Sequence, residues 1–122
     1  MQVYNNLNSL PGFNNAVITI GTFDGVHLGH KSILNQLKKV ASQVNGETVI
    51  ISFHPHPRKI VSSVPGDIKL LNTLSEKIEL LEAEGIDHFV VVPFDREFAN
   101  QSAEQYIDDF LVKYFKPHTI II

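Results

Sequence analysis

Hydrophobic positions along the chain alternate between short unbroken runs and longer stretches with a helical period. Four runs rich in β-branched residues have the length and composition of strands buried on both faces. They span residues 16–23, 47–54, 87–94 and 118–122. Between the first two runs, apolar residues recur every three or four positions over 31–44, which predicts a helix that ends at Asn45-Gly46.

Two more helices are predicted from capping signals. Thr73 and Glu76 have the spacing of a capping box, ahead of a helix that ends at Gly85. Ser102 and Gln105 repeat that spacing, and the apolar residues after them form one stripe at helical spacing, which we expect to be core. The stripe consists of Tyr106, Ile107, Phe110, Leu111 and Tyr114.

Strands that alternate with helices over connections of this length predict βαβ units and a parallel sheet. The expected fold is α/β, a Rossmann-like three-layer sandwich. Ligands of such folds bind beyond the carboxyl ends of the strands, at the point where the strand order reverses. The stretch that follows the first predicted strand, residues 21–31, lies at that place. Residues 55–72, rich in proline and turn formers, are expected to form an ordered surface loop.

Composition excludes several kinds of function. The chain has 122 residues, enough for one core, and its net charge of −3 argues against a nucleic-acid surface. The absence of cysteine excludes disulfides and thiolate chemistry. No apolar run approaches the roughly 20 residues of a membrane helix, and no signal peptide is evident, so a cytoplasmic location is expected. Because the chain ends within a predicted strand, we expect it to be part of a longer domain.

The glycine-rich junction is the strongest candidate for chemistry. Gly21, Gly25 and Gly29 are four residues apart, so they do not match the dinucleotide fingerprint, and His30 interrupts a P-loop match. What remains is His27-Leu-Gly-His30 at the start of a helix, where free backbone N–H groups and the helix dipole favour phosphate. Gly29 would allow close approach, and the two imidazoles would stabilise charge on a transferring phosphoryl group. This arrangement predicts a nucleoside triphosphate site.

The segment Phe53-His-Pro-His-Pro57, followed by Arg58, ends the second predicted strand beside that junction. We expect it to line the ligand pocket; a rigid turn with solvated basic side chains is the alternative. His54 and His56 with His27 and His30 would make a four-histidine zinc cluster, which the usual ligand sets of zinc disfavour. No metal site is therefore predicted.

The third predicted strand is followed by a short charged stretch. Asp95-Arg-Glu97 is expected to form a solvated loop at the same edge of the sheet. Phe94 and Phe98 are expected to pack at the rim of the core and not to stack on a ligand.

The motif "GTFDGVHLGH", residues 21–30, resembles the HxGH signature of the nucleotidylyltransferase superfamily, in the form found in bacterial FAD synthetases. These are bifunctional riboflavin kinase/FMN adenylyltransferases. The resemblance extends to "ISFHPHPRKIV", to residues 70–107 and to "KPHTIII", so it covers nearly the whole chain. The segment Phe53–Pro57 makes the match to this family specific.

The resemblance implies transfer of AMP from ATP to FMN with Mg²⁺, giving FAD and pyrophosphate. His27 and His30 would be the catalytic residues. The residues that would bind the substrates are Gly21, Phe23, Asp24, Gly25, Gly29, Phe53, His54, Pro55, His56, Pro57 and Arg58. The phosphate of FMN is already anionic at neutral pH, so the attack needs no general base.

The family's later elements lie beyond residue 122: a glycine-led loop, a Ser-Ser-Thr-x-x-Arg segment and a C-terminal riboflavin kinase module. The activity is therefore expected of the intact parent, and this chain alone should be weakly active or inert. Two alternatives stay open. One is an HxGH enzyme for another phosphorylated acceptor, and the other is a nucleotide- or flavin-binding module without catalysis.

Overall fold

Five parallel strands form one sheet. The computed structural model describes residues 1–21, 28–54 and 74–121, and of residues 28–30, 54 and 74 it describes the backbone alone. The strands are β1 (Gln2–Tyr4), β2 (Val17–Ile20), β3 (Thr48–His54), β4 (His88–Pro93) and β5 (Thr119–Ile121). Their order across the sheet is β1-β4-β3-β2-β5, and each neighbouring pair is parallel.

Helices connect the strands. Between β2 and β3 runs α1 (Leu28–Val44), and α2 (Leu74–Ala83) precedes β4. After β4 come α3 (Arg96–Ala99), α4 (Ala103–Gln105), a π-helix (Tyr106–Val112) and α5 (Lys113–Phe115). The last three follow one another without a break and are called the composite helix 103–115. A 3₁₀ turn, Leu7–Ser9, lies in the segment that links β1 to β2.

The central strands are buried on both faces, as their unbroken apolar sequences predict. Successive residues of β2 and β3 belong to different cores, because side chains alternate across a pleated strand. One core joins the sheet to α1 and α2 through Leu34, Leu37, Ala41, Leu81 and Ile86. The other joins it to the composite helix through Phe110, Leu111 and Phe115. The predicted three-layer α/β sandwich is confirmed.

The predicted helix ends are confirmed where the structure describes them. Beyond α1, Asn45 adopts a left-handed φ of 52°, and beyond α2 Gly85 has a φ of 82°, which glycine adopts at low cost. Ser102 and Gln105 form the predicted capping box, with both reciprocal hydrogen bonds present. Thr73 of the other predicted capping box lies outside the described residues.

Three features differ from the sequence predictions. Strand β1 was not predicted, and it pairs with β4 at the edge of the sheet. The expected solvated loop at 95–97 is wrong, because Asp95 caps α3 by accepting a hydrogen bond from the Phe98 N–H at 2.7 Å. Ile107, expected in the core, is 50% exposed. It lies in the π-helix, whose wider turn shifts the buried stripe away from α-helical spacing.

The N-terminal segment is fastened at the amino edge of the sheet. Nε2 of His88 lies 3.0 Å from Oε1 of Glu47, and Nδ1 lies 3.4 Å from the Tyr4 hydroxyl. The other carboxylate oxygen of Glu47 accepts the Asn14 N–H at 2.8 Å, and the Phe13 ring packs 4.8 Å from the His88 ring. The hydrogen bonds from His88 and Asn14 lower the pKa of Glu47. One carboxylate therefore holds β4 and the N-terminal segment together.

We predict that Gly46→Ala destabilises the fold by about 2 kcal/mol, because an added Cβ would overlap the carbonyl oxygen of Asn15. Gly12→Ala is the matched control, since nothing lies within 4 Å of its built Cβ and its φ is not positive. Urea denaturation should place the Gly12→Ala midpoint near that of the wild type. Equal losses for both variants would contradict the steric argument.

We predict that Glu47→Gln costs about 1 kcal/mol at neutral pH, a modest value because the carboxyl is 35% exposed. A lowered folded-state pKa stabilises the fold above the ordinary glutamate pKa of about 4.3, and this stabilisation is lost as the pH falls below that value. Unfolding curves of wild type and variant should converge between about pH 5 and pH 3. Glu104→Gln, at an exposed site, should show no such convergence; a constant difference across this range would refute the argument.

Candidate functional site

The strand order reverses beside β2. From β2 the chain crosses one face of the sheet through α1 to reach β3, and from β4 it crosses the other face through the composite helix to reach β5. Strand β2 thus lies between β3 and β5. In parallel sheets the crevice at such a reversal, at the carboxyl ends of the strands, is the usual ligand site. This is the position that the sequence predicts.

The glycine-rich junction follows β2 at this edge. Gly21 extends the ladder by donating its N–H to the carbonyl of Ile51 at 3.0 Å. Helix α1 begins at Leu28, so Gly29 and His30 belong to its first turn. The first N–H groups of an α-helix have no partner within the helix, and the dipole makes this end favourable for anions. The described part of the predicted phosphate site, Gly29 and His30, therefore lies at the start of a helix.

The structure describes part of the predicted site. Gly21 and Phe53 are fully described, and Gly29, His30 and His54 are described by their backbones, with His54 as the last residue of β3. The remaining predicted residues lie outside the described part of the chain. They are Phe23, Asp24, Gly25, His27, Pro55, His56, Pro57 and Arg58.

Phe53 belongs to an aromatic cluster at the carboxyl ends of β3 and β4. Its ring centroid lies 5.4 Å from that of Phe94 and 5.4 Å from that of Phe98. Phe98 continues the cluster towards the composite helix, 6.1 Å from Tyr106 and 5.0 Å from Phe110. Most of these pairs are edge-to-face or tilted, the arrangements that the ring quadrupole favours. The expected packing of Phe94 and Phe98 at the core rim agrees with these contacts.

The cluster also lines a cavity of about 370 Å³, which we call the aromatic pocket. This volume falls in the range of small-molecule sites. Its walls are mostly apolar, with a few polar groups from the start of the composite helix. The lining residues are Phe53, Phe94, Phe98, Ala99, Gln101, Ser102, Ala103, Tyr106 and Ile107. Burial raises the pKa of Tyr106, so its hydroxyl stays protonated at neutral pH.

Tyr106 and Ile107 were not predicted to belong to a site. Both were placed in the core stripe of an ordinary helix. Tyr106 is half-buried and Ile107 half-exposed because the π-helix starts at Tyr106. The capping box at Ser102 and Gln105 predicts where the helix begins, and it also places this end beside the carboxyl edge of β4. Their position beside the carboxyl edge of β4, and not their residue types, is the sequence signal that could have assigned Tyr106 and Ile107 to the pocket.

Lys31 and Lys38, in the first turn and the middle of α1, are paired within the fold. Nζ of Lys38 donates to the carbonyl of Glu84 at 2.8 Å and lies 3.8 Å from its carboxylate. Nζ of Lys31 lies 3.7 Å from the same carboxylate. These contacts tie α1 to the end of α2. The exposed ion pairs contribute little free energy individually, so we assign them to helix packing.

Comparison with known proteins identifies the family. The sequence profile of the FAD synthetase family matches residues 11–122. The bifunctional riboflavin kinase/FMN adenylyltransferase of Listeria monocytogenes is 35% identical over 106 residues, which cover 87% of this chain and 34% of the relative. The bifunctional enzyme of Buchnera aphidicola is 33% identical, and the match covers 100% of this chain and 39% of the Buchnera chain. The Escherichia coli K12 protein is 36% identical over 82% of this chain and 32% of its own.

These matches fall on an α/β fold that has Gly21 and the start of α1 at the carboxyl edge of its sheet. The chain belongs to the FAD synthetase family. It spans between 32% and 39% of the length of these three relatives.

A solved structure shares the fold. The crystal structure described as the macrolide-efflux protein from Streptococcus pneumoniae superposes with a TM-score of 0.85, covering 98% of this chain and 39% of that chain. At 21% sequence identity, this likeness shows the fold alone. Among the residues described for our chain, no helix is both long and apolar enough to cross a membrane.

We predict that Phe98→Ala lowers the free energy of unfolding by about 2 kcal/mol, because this ring joins the aromatic cluster to Phe110 in the core. Ile107→Ala should cost less than about 0.5 kcal/mol, since half of that side chain is already exposed. Chemical denaturation measures both. A larger loss for Ile107→Ala than for Phe98→Ala would show that the cluster does not support the composite helix.

Proposed function

We propose that the chain is the adenylyltransferase part of an enzyme that transfers AMP from ATP to FMN. An oxygen of the FMN phosphate would attack the α-phosphorus of ATP and form the new P–O bond. The bond from that phosphorus to the bridging oxygen would break, and pyrophosphate would leave. Membership of the FAD synthetase family, matched over residues 11–122, carries the proposal.

The junction after β2 supports ATP binding. The N–H groups at the start of α1, which have no partner within the helix, and the absence of a Cβ at Gly29 suit a phosphate chain. His27 and His30 are assigned to the phosphates, where their hydrogen bonds would strengthen as charge develops in the transition state. Gly21, Phe23, Asp24 and Gly25 would shape the loop. Positioning and charge stabilisation are the main terms in phosphoryl-group chemistry, so a catalytic triad is not needed.

The aromatic pocket supports binding of the flavin. Phe53 is the last residue but one of β3, which neighbours β2, so the pocket lies at the same edge of the sheet as Gly21. A planar isoalloxazine ring matches a cavity with aromatic walls and a rim of polar groups. His54, Pro55, His56, Pro57 and Arg58 would then line the path from the ring to the phosphates. Phe94 and Phe98 would then have two roles, since both rings pack in the aromatic cluster and both line the cavity.

Magnesium is proposed only as the partner of ATP. Among the described residues, no group of three histidine, cysteine or carboxylate side chains could hold a metal ion. Mg²⁺ would accompany the triphosphate, whose charge it would offset, and no step of this chain's own residues depends on it.

The activity test uses the full reading frame, because the chain spans about a third of its relatives. Incubation with ATP, Mg²⁺ and FMN should form FAD and pyrophosphate, detected by chromatography. His27→Ala should lower kcat about 10²- to 10³-fold with little loss of stability. His118→Ala, at the amino end of β5, is the control and should keep wild-type activity. Binding of ATP and FMN without product would indicate a binding module without catalysis. Turnover of a different phosphorylated acceptor would indicate an HxGH enzyme with another substrate.

The flavin pocket has its own test. Ile107→Glu places a carboxylate at the rim of the aromatic pocket and should weaken FMN binding about tenfold, because the pocket then loses apolar surface and gains a charge that repels the phosphate. Val112→Glu is the matched control, since Val112 is 48% exposed on the same π-helix but does not line the pocket. Quenching of flavin fluorescence measures both. Equal affinities for the two variants would place the flavin elsewhere.

A further inference from the structure

A second cavity, of about 300 Å³, lies between α3 and the composite helix, and we call it the acidic groove. Three aromatic rings form its walls, and the aliphatic side chains of Leu7 and Pro93 extend them. The lining residues are Leu7, Pro93, Asp95, Glu97, Phe98, Gln101, Asp109, Phe110 and Tyr114. It shares only Phe98 and Gln101 with the aromatic pocket. Nothing in the proposed adenylyl transfer uses this groove.

The groove is rigidly framed by local hydrogen bonds. Oδ1 of Asp95 accepts the Phe98 N–H at 2.7 Å, and Nε2 of Gln101 donates to the Phe98 carbonyl at 3.0 Å. The Phe98 ring meets Phe110 edge to face at 5.0 Å, which fixes α3 against the composite helix. An ordered cavity of this kind loses little entropy when a ligand binds.

The charge of the groove has one sign. Asp95, Glu97 and Asp109 are exposed on its rim, and no basic side chain is among its lining residues within the described chain. In the part of the chain that the structure describes, neither the carboxylate of Glu97 nor that of Asp109 makes a hydrogen bond or ion pair. Nζ of Lys113 lies 5.3 Å from the centroid of the Tyr114 ring, so this wall of the groove already has a cation nearby. The carboxylates of Glu97 and Asp109 have no cation within ion-pair distance among the described residues.

This combination selects one kind of occupant. A guanidinium group stacks on aromatic faces and forms planar, two-pronged hydrogen bonds with carboxylates, while its alkyl stem packs on apolar side chains. An ammonium group is strongly hydrated and lacks the planar stack. At about 300 Å³ the groove admits a single side chain and not a helix. We propose that the acidic groove docks an arginine side chain from a basic segment of a protein partner.

The test uses a fluorescently labelled six-residue peptide that alternates arginine with glycine, and anisotropy measured at low salt. The double variant Glu97→Gln/Asp109→Asn should weaken binding about tenfold, since each lost ion pair at an exposed site contributes modestly. The control is Glu104→Gln/Asp108→Asn, which removes the same net charge from exposed neighbours that do not line the groove. This control should bind within about twofold of the wild type.

Two further peptides test the chemistry. Replacement of arginine by neutral citrulline should abolish binding, and replacement by lysine should weaken it several-fold. Equal weakening by both double variants would reduce the effect to net charge and overturn the proposal, as would binding of the citrulline peptide. Circular dichroism confirms that the variants fold, and the replaced side chains are all exposed. The outcome is independent of FMN or ATP binding, so it stands apart from the proposed adenylyl transfer.

Discussion

Burial of the central strands on both faces is the constraint on which the other features of this molecule depend. Val17, Ile18, Val49, Ile50 and Ile51 are fully buried, so neither face of the sheet is available to a ligand. Because all strands run parallel, their carboxyl ends meet at one edge and their amino ends at the other. Loops at the carboxyl edge can therefore bind ligands, and loops at the amino edge can stabilise the fold.

Among the described residues, the candidate site lies at the carboxyl edge and a stabilising hydrogen-bond network lies at the amino edge. At the carboxyl edge lie a glycine, the start of a long helix and a ring of aromatic side chains around a cavity. At the amino edge, Glu47 and His88 bind the N-terminal segment, and Asp87 accepts both the N–H and the hydroxyl of Thr48. Thr48 and His88 are buried, and a buried polar group stabilises the fold only when it has hydrogen-bond partners. The position of this network far from the proposed ligands separates stability from function.

Most of the fold could be predicted from sequence because its strands and helices have strong local signals. The unbroken apolar run at 47–54 matches β3 within one residue, and the Ser102–Gln105 box marks the start of a helix correctly. Strand β1 lacks such a signal, since three residues at a sheet edge, Gln2–Tyr4, become a strand only by pairing with β4. The π-helix also has no local signature, because packing against the sheet decides the width of a helical turn.

The candidate site also has one part that could be predicted from the sequence and one part that could not. The glycine-rich junction is contiguous in sequence, so its spacing alone predicts where a phosphate would lie. The aromatic pocket combines residues 53, 94, 98 and 106, which only the sheet order brings together. Sequence analysis identified Phe53 through its motif and placed the others in the core, where their contacts partly agree. The acidic groove was missed entirely, since Asp95 and Glu97 are ordinary surface charges until α3 packs beside Tyr114.

The π-helix also affects how this sequence is compared with its relatives. Phe110 and Phe115 are both buried although they are five residues apart, a spacing that would separate them by about 140° around an ordinary α-helix. A wider turn brings such residues onto one side. A relative with one residue fewer between 106 and 112 would therefore keep the helix and tighten the turn. An alignment gap at this place would mark a rotation of the residues around the aromatic pocket and not the loss of a structural element.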